Sequence, residues 1–109
     1  MELLKCETSD IENTEKYILK NGEKEIGYGY IKGVEINPIE IFIYENERSN
    51  GYGKLLFSKL LEIIKEKEAK LLTFDLPEEQ YRMINIVAYS GGRYISIKNG
   101  VRRYILPIK

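Results

Sequence analysis

Six residues in the middle of the chain, Arg48-Ser49-Asn50-Gly51-Tyr52-Gly53, carry the spacing best suited to chemistry. They lie between an apolar stretch, Ile39-Glu40-Ile41-Phe42-Ile43-Tyr44, and an amphipathic one over 54–67. A strand, a short loop with spaced glycines and a helix together make an anion-binding device. The first turn of a helix leaves its N–H groups without partners, and the macrodipole adds partial positive charge there. Gly51 and Gly53 carry no Cβ, so a phosphate can come close to the backbone. Two other phosphate-binding patterns fail on spacing. A P-loop needs Ser or Thr after Gly53-Lys54, and the residue is Leu55; a dinucleotide fingerprint needs a third glycine near position 56, which is leucine.

The chain has no histidine, which removes the commonest general base and the commonest zinc ligand together. No metal is expected. Proton transfer falls to carboxylates, tyrosine, lysine, the thiol or water. The single Cys6 cannot form an internal disulfide; it reads as a small buried hydrophobe, and a cytoplasmic location is the expectation. The length of 109 residues predicts one domain, 1–109, with 43% hydrophobic and 31% charged residues as in an ordinary globular protein. Seventeen basic residues balance 17 acidic ones, so no basic face for nucleic acid is expected. The nine tyrosines read as strand formers rather than as stacking platforms. No apolar run is long enough to span a membrane, and the first ten residues lack a signal-peptide apolar core.

The elements around the loop follow from periodicity and turn chemistry. Strands are expected over 1–7, 14–20 and 23–32, the last two joined at Asn21-Gly22, a type I′ hairpin signal. Gly27 and Gly29 weaken their strand and mark a bulge or a close approach of another backbone. Pro38 fits only at the start of the strand 39–44. The helix that follows places Leu56, Leu60, Ile63 and Ile64 on its core stripe. The short strand Leu71-Leu72-Thr73-Phe74 is apolar on both faces, as a central strand should be. Pro77 suits the first turn of a second helix that runs to about Ser90 and ends at Gly91-Gly92. Strands 93–98 and 101–108 close the chain around Asn99-Gly100. The fold class is α+β: a mixed, mostly antiparallel sheet with two main helices.

Arg-x-x-Gly-x-Gly between such a strand and helix resembles the acyl-CoA pyrophosphate motif of the GNAT superfamily of N-acetyltransferases, and the element order resembles that family from 14 to 107. The resemblance implies that acetyl-CoA is the co-substrate, its pyrophosphate held by the amides of Arg48, Ser49, Asn50, Gly51, Tyr52, Gly53 and Lys54. It implies that the pantetheine and thioester pair with backbone groups of Phe42, Ile43 and Tyr44 where the central strand splays from its neighbour, with an N–H near Ile43 polarising the thioester carbonyl. It implies direct acetyl transfer to an amine. Tyr89, on the last helix, is the candidate acid for the leaving thiolate; Glu40, and after it Glu45, are the carboxylates placed for a base. The family pattern of Asn, then Ala three later, then Tyr seven after the Asn fits Asn85 and Ala88, but puts Gly92 in place of the tyrosine. The family also carries one or two helices between its first two strands, and 8–13 is too short for them. The N-terminal helices are therefore absent and the acceptor side is open. That implies an acceptor amine on a protein, or a homodimer paired through an edge such as 104–106. The alternative is a non-catalytic acyl-CoA-binding module that regulates a partner.

Overall fold

The computed structural model describes residues 1–108. Its chain order is β1 (Glu2–Lys5), β2 (Thr14–Asn21), β3 (Lys24–Lys32), β4 (Ile39–Ile43), a 3₁₀ turn (Glu45–Glu47), α1 (Tyr52–Glu66), β5 (Leu71–Pro77), α2 (Tyr81–Tyr89), β6 (Arg93–Lys98) and β7 (Val101–Pro107). The segment 8–13 holds no helix; it folds over one end of β3, where the Tyr30 hydroxyl donates to Asp10 Oδ1 at 2.8 Å.

The strands form two sheets, β1-β2-β3-β4 and β5-β7-β6, with every named pairing antiparallel. Between β4 and β5 they part. One isolated parallel bridge, Ile36 to Thr73, joins the two sheets. Asn37 reinforces it. Its N–H donates to the Thr73 C=O at 2.9 Å, its side-chain Nδ2 donates to the Asp75 C=O at 3.0 Å, and its Oδ1 accepts from the Asp75 N–H at 2.9 Å. The side-chain amide thus extends the ladder by one residue with the geometry of a backbone. Asn37 holds φ at 56°, which asparagine tolerates better than most residues. Beyond it β4 and β5 diverge.

The core lies between α1 and the sheets. Leu56, Phe57, Leu60 and Ile64 are buried on α1, and Phe57 meets Phe74 of β5 with ring centroids 5.8 Å apart. Gly29 permits this packing: a Cβ there would stand 2.7 Å from Leu60 Cδ1. The close approach expected at the β3 glycines is therefore a helix as well as a strand. α2 buries Ile84 and Val87.

Four expectations shift. The β2–β3 loop is Gly22-Glu23, because Asn21 pairs with Lys24; of Asn21 and Gly22 only Gly22 has positive φ, as in a glycine-first hairpin. Asn99-Gly100 does have positive φ at both residues, as type I′ requires. Pro77 ends β5 instead of opening α2. The odd-numbered residues Thr73 and Asp75 direct their backbone groups at Asn37, so Pro77 faces the split, where no ladder N–H is needed. β5 is also one-sided: Leu72, Phe74 and Leu76 are buried while Leu71 is 54% exposed. Finally, 104–106 is not an edge. β7 lies between β5 and β6, with Tyr104 and Leu106 buried; the exposed edge is β6.

Candidate active site

The split opens into a groove of about 880 Å³ between β4, the start of α2 and the loop before α1. At its head the backbone of 49–54 has little to bond to. Leu55 N–H donates to the Gly51 C=O as the first intrahelical bond of α1, and no side chain caps the helix. The N–H groups of Ser49, Asn50, Gly51, Tyr52, Gly53 and Lys54 have no partner among the described residues. The first turn carries no acidic side chain to fill that role. Ser49 and Gly51 both adopt left-handed backbone, φ 68° and 77°, a conformation that turns successive amides toward one concavity.

The two glycines serve different ends. No atom lies within 4 Å of where a Cβ of Gly51 would stand, so that position needs its φ and leaves open space in front. Gly53 has no positive φ; a Cβ there would stand 2.9 Å from Ile86 Cδ1 on α2. Gly53 lets the helices meet at the groove's head.

Along β4 the ladder decides which backbone groups remain free. Tyr44 N–H donates to the Ile26 C=O at 3.1 Å, so even-numbered residues of β4 bond to β3. Ile41 and Ile43 therefore turn their N–H groups into the split. Phe42 and Tyr44 do not, and the Tyr44 C=O accepts from Glu47 N–H at 2.8 Å. Of the three residues expected to offer backbone groups, Ile43 alone is oriented to do so; Ile41 joins it. The Ile43 C=O accepts from Arg48 Nε at 3.0 Å, which ties the loop to the strand end. The Arg48 guanidinium also lies 5.5 Å from the Phe42 ring centroid.

The groove gathers Glu40, Phe42, Ile43, Arg48, Ser49, Gly51, Tyr52, Gly53 and Lys54 of the residues singled out from sequence. It leaves out Tyr44, Asn50, Glu45 and Tyr89. Asn50 Nδ2 donates to the Glu47 C=O at 3.2 Å, bracing the loop from behind. Tyr44 turns its hydroxyl to Glu25 Oε2 at 3.2 Å; burial first, then that carboxylate, push its pKa up. Tyr89 is 69% exposed at the end of α2, its ring 4.2 Å beneath Lys54 Nζ. Lys54 lines the groove and Tyr89 does not. The tyrosines that line the groove are Tyr52 and Tyr81, and Asn85 lines it too. Glu40 is largely exposed and meets Lys32 Nζ at 2.5 Å.

Beyond β4, the outer face of the first sheet carries Tyr28, Phe42 and Tyr44 with ring centroids 5.3 to 6.1 Å apart. No helix covers that face among the described residues. A split sheet, free strand amides inside the split and an uncapped helix at its head define the acyl-CoA N-acyltransferase fold.

Solved structures bear this out. The chain is similar to a Bacillus subtilis acetyltransferase in complex with CoA, with TM-score 0.80, 14% identity and 98% of each chain covered. It is similar to the ribosomal-protein-S18-alanine N-acetyltransferase of Escherichia coli, with TM-score 0.71, 14% identity, and 92% of this chain and 72% of that one covered. It is also similar to a GNAT family acetyltransferase of Elizabethkingia anophelis with acetyl-CoA bound, at TM-score 0.71 and 16% identity over 87% and 76% of the two chains. No family model and no curated protein matches the chain. The fold is thus that of the GNAT acetyltransferases, and the first of these neighbours shows it in a chain of nearly the same length. No helix of the described residues is long and apolar enough to cross a membrane.

Proposed function

We propose that this chain is an acyl-CoA-dependent N-acetyltransferase that moves an acetyl group from acetyl-CoA directly to an amine. The observation that carries the reading is the run of six free amides, Ser49 to Lys54, at the head of a groove whose wall offers two more at Ile41 and Ile43. The first set suits a pyrophosphate. The second suits an extended chain of amides ending in a thioester, whose carbonyl gains negative charge during attack and is stabilised by an N–H already pointed at it. Arg48 holds the loop with Nε and keeps its two terminal nitrogens for a phosphate. The neighbours solved with CoA or acetyl-CoA support the same ligand.

The acceptor amine arrives from the uncovered side of the first sheet, where Glu40 stands as the carboxylate able to take its proton. An amine carried by a protein, or a wall supplied by a second copy, suits a groove that no N-terminal helix encloses. Ordered water or a groove tyrosine, Tyr81 or Tyr52, protonates the departing thiolate. One observation favours the alternative of a non-catalytic acyl-CoA-binding module: Tyr89, the tyrosine expected to act as acid, lies outside the groove.

Calorimetry with CoA, followed by thiol release from acetyl-CoA in the presence of lysine peptides and small amines, tests both readings. Micromolar binding with thiol release is the expected result. Binding without release under any acceptor favours the module, and no heat at millimolar CoA overturns both.

A further inference from the structure

Glu40 already has an amine against it. Lys32 Nζ lies 2.5 Å from Glu40 Oε2, and both side chains line the groove. Lys32 closes β3, its own N–H donating to the Pro38 C=O at 2.7 Å, so its Cα is fixed beside the base of the split. Its side chain is 28% exposed, half as much as that of Glu40 at 56%. The other lysine at the groove, Lys54, is held over the Tyr89 ring and forms no ion pair among the described residues. Ile41, next along the strand from Glu40, is one of the two residues whose N–H points into the split, about 3.3 Å further along the strand axis.

From this juxtaposition we infer that Lys32 is an internal acceptor: the chain transfers an acyl group from its own bound acyl-CoA to Lys32 Nζ. The inference rests on the acyl-CoA reading above. Glu40 takes one proton from the Lys32 ammonium, leaving a neutral amine. The nitrogen lone pair attacks the thioester carbonyl and forms the C–N bond; the C–S bond breaks, and the second proton passes from nitrogen to the departing thiolate. Glu40 then returns its proton to solvent. The products are an Nε-acyl lysine and CoA thiol. Acylation removes the ammonium that engages Glu40, so the modified chain presents a free carboxylate to an incoming amine.

The test is a time course of the full chain with acetyl-CoA, read by intact mass and peptide mapping, with CoA calorimetry on the same preparation. A single acetyl group on Lys32, formed at least about tenfold faster than on any other lysine, is expected. It should vanish in Lys32→Arg, slow about tenfold in Glu40→Gln, and slow with excess CoA. Both side chains are partly exposed, so neither variant should lose the fold, and circular dichroism checks that. CoA heat without preferential Lys32 acetylation overturns this inference and leaves the acyl-CoA reading standing. Acetylation spread evenly over exposed lysines and indifferent to Glu40→Gln also overturns it. Absence of both heat and acetylation overturns both.

Discussion

The two ends of the split between β4 and β5 are built to opposite rules. At the closed end the crossing is tied by hydrogen bonds: Asn37 meets Thr73 and Asp75 with three of 2.9 to 3.0 Å. At the open end six consecutive amides of 49–54 have no partner among the described residues. Backbone N–H groups away from water are nearly always paired in a native fold. A run left open beside a groove is therefore tolerable only where solvent or a ligand serves it. Stability and function sit about one strand's length apart on the same pair of strands, and substitutions should separate them.

The largest stability effect is expected at the closed end. Asn37→Ala leaves the Asp75 N–H and C=O without their partners and forces alanine into the left-handed region. Together these should cost about 3 kcal/mol, seen as a lower denaturant midpoint. Next comes Gly53→Val. Its branched side chain meets Ile86 within 3 Å of the new Cβ, an overpacking that should cost about 2 kcal/mol. Gly51→Val meets no atom and carries only a backbone cost of about 1–2 kcal/mol, yet it should weaken CoA binding at least about tenfold. If Gly51→Val binds CoA normally, the pyrophosphate is not held there.

A smaller effect sharpens the closed end. The Arg103 guanidinium donates to both Asp75 carboxylate oxygens at 2.8 Å and, as the main cause, holds the Asp75 pKa below 3.8. A depressed carboxylate pKa contributes stability that is present above the unfolded value and lost as pH falls through the folded one. The wild type should therefore exceed Asp75→Asn by about 0.5 kcal/mol near neutrality, and the gap should close as pH falls below about 4. The smallest effect is expected of Tyr89→Phe. The ring under Lys54 is kept and Tyr89 is not among the residues that line the groove, so turnover should stay within about twofold. A hundredfold loss would restore Tyr89 as the acid.

The open end was the more legible in the sequence. Spaced glycines between an apolar strand and an amphipathic helix are local features, and the hairpin at Asn99-Gly100 is too. The closed end was opaque because Asn37-Pro38 reads as a turn, while its meaning depends on Asp75, 38 residues away. Ladder parity was equally hidden. Which of Ile41, Phe42, Ile43 and Tyr44 faces the split follows from the β3–β4 register, and that register is a property of two strands together. The packing constraint on Gly53 is not visible in the sequence, because its tertiary neighbour Ile86 lies on another helix. Tyr89 follows Tyr81 and Asn85 at four-residue steps on the same side of α2, but the groove's lining reaches only to Asn85 and Ile86, and how far it extends along the helix is set by the loop and strand opposite.

Amide chemical shifts during a CoA titration test the contrast between the two ends most directly. With ¹⁵N-labelled protein, the largest shifts should fall on Ser49 to Lys54, with Ile41 and Ile43 following, while the Asn37 and Asp75 amides stay nearly fixed. Saturating CoA that moves the Asn37 end and leaves 49–54 unchanged would contradict the account.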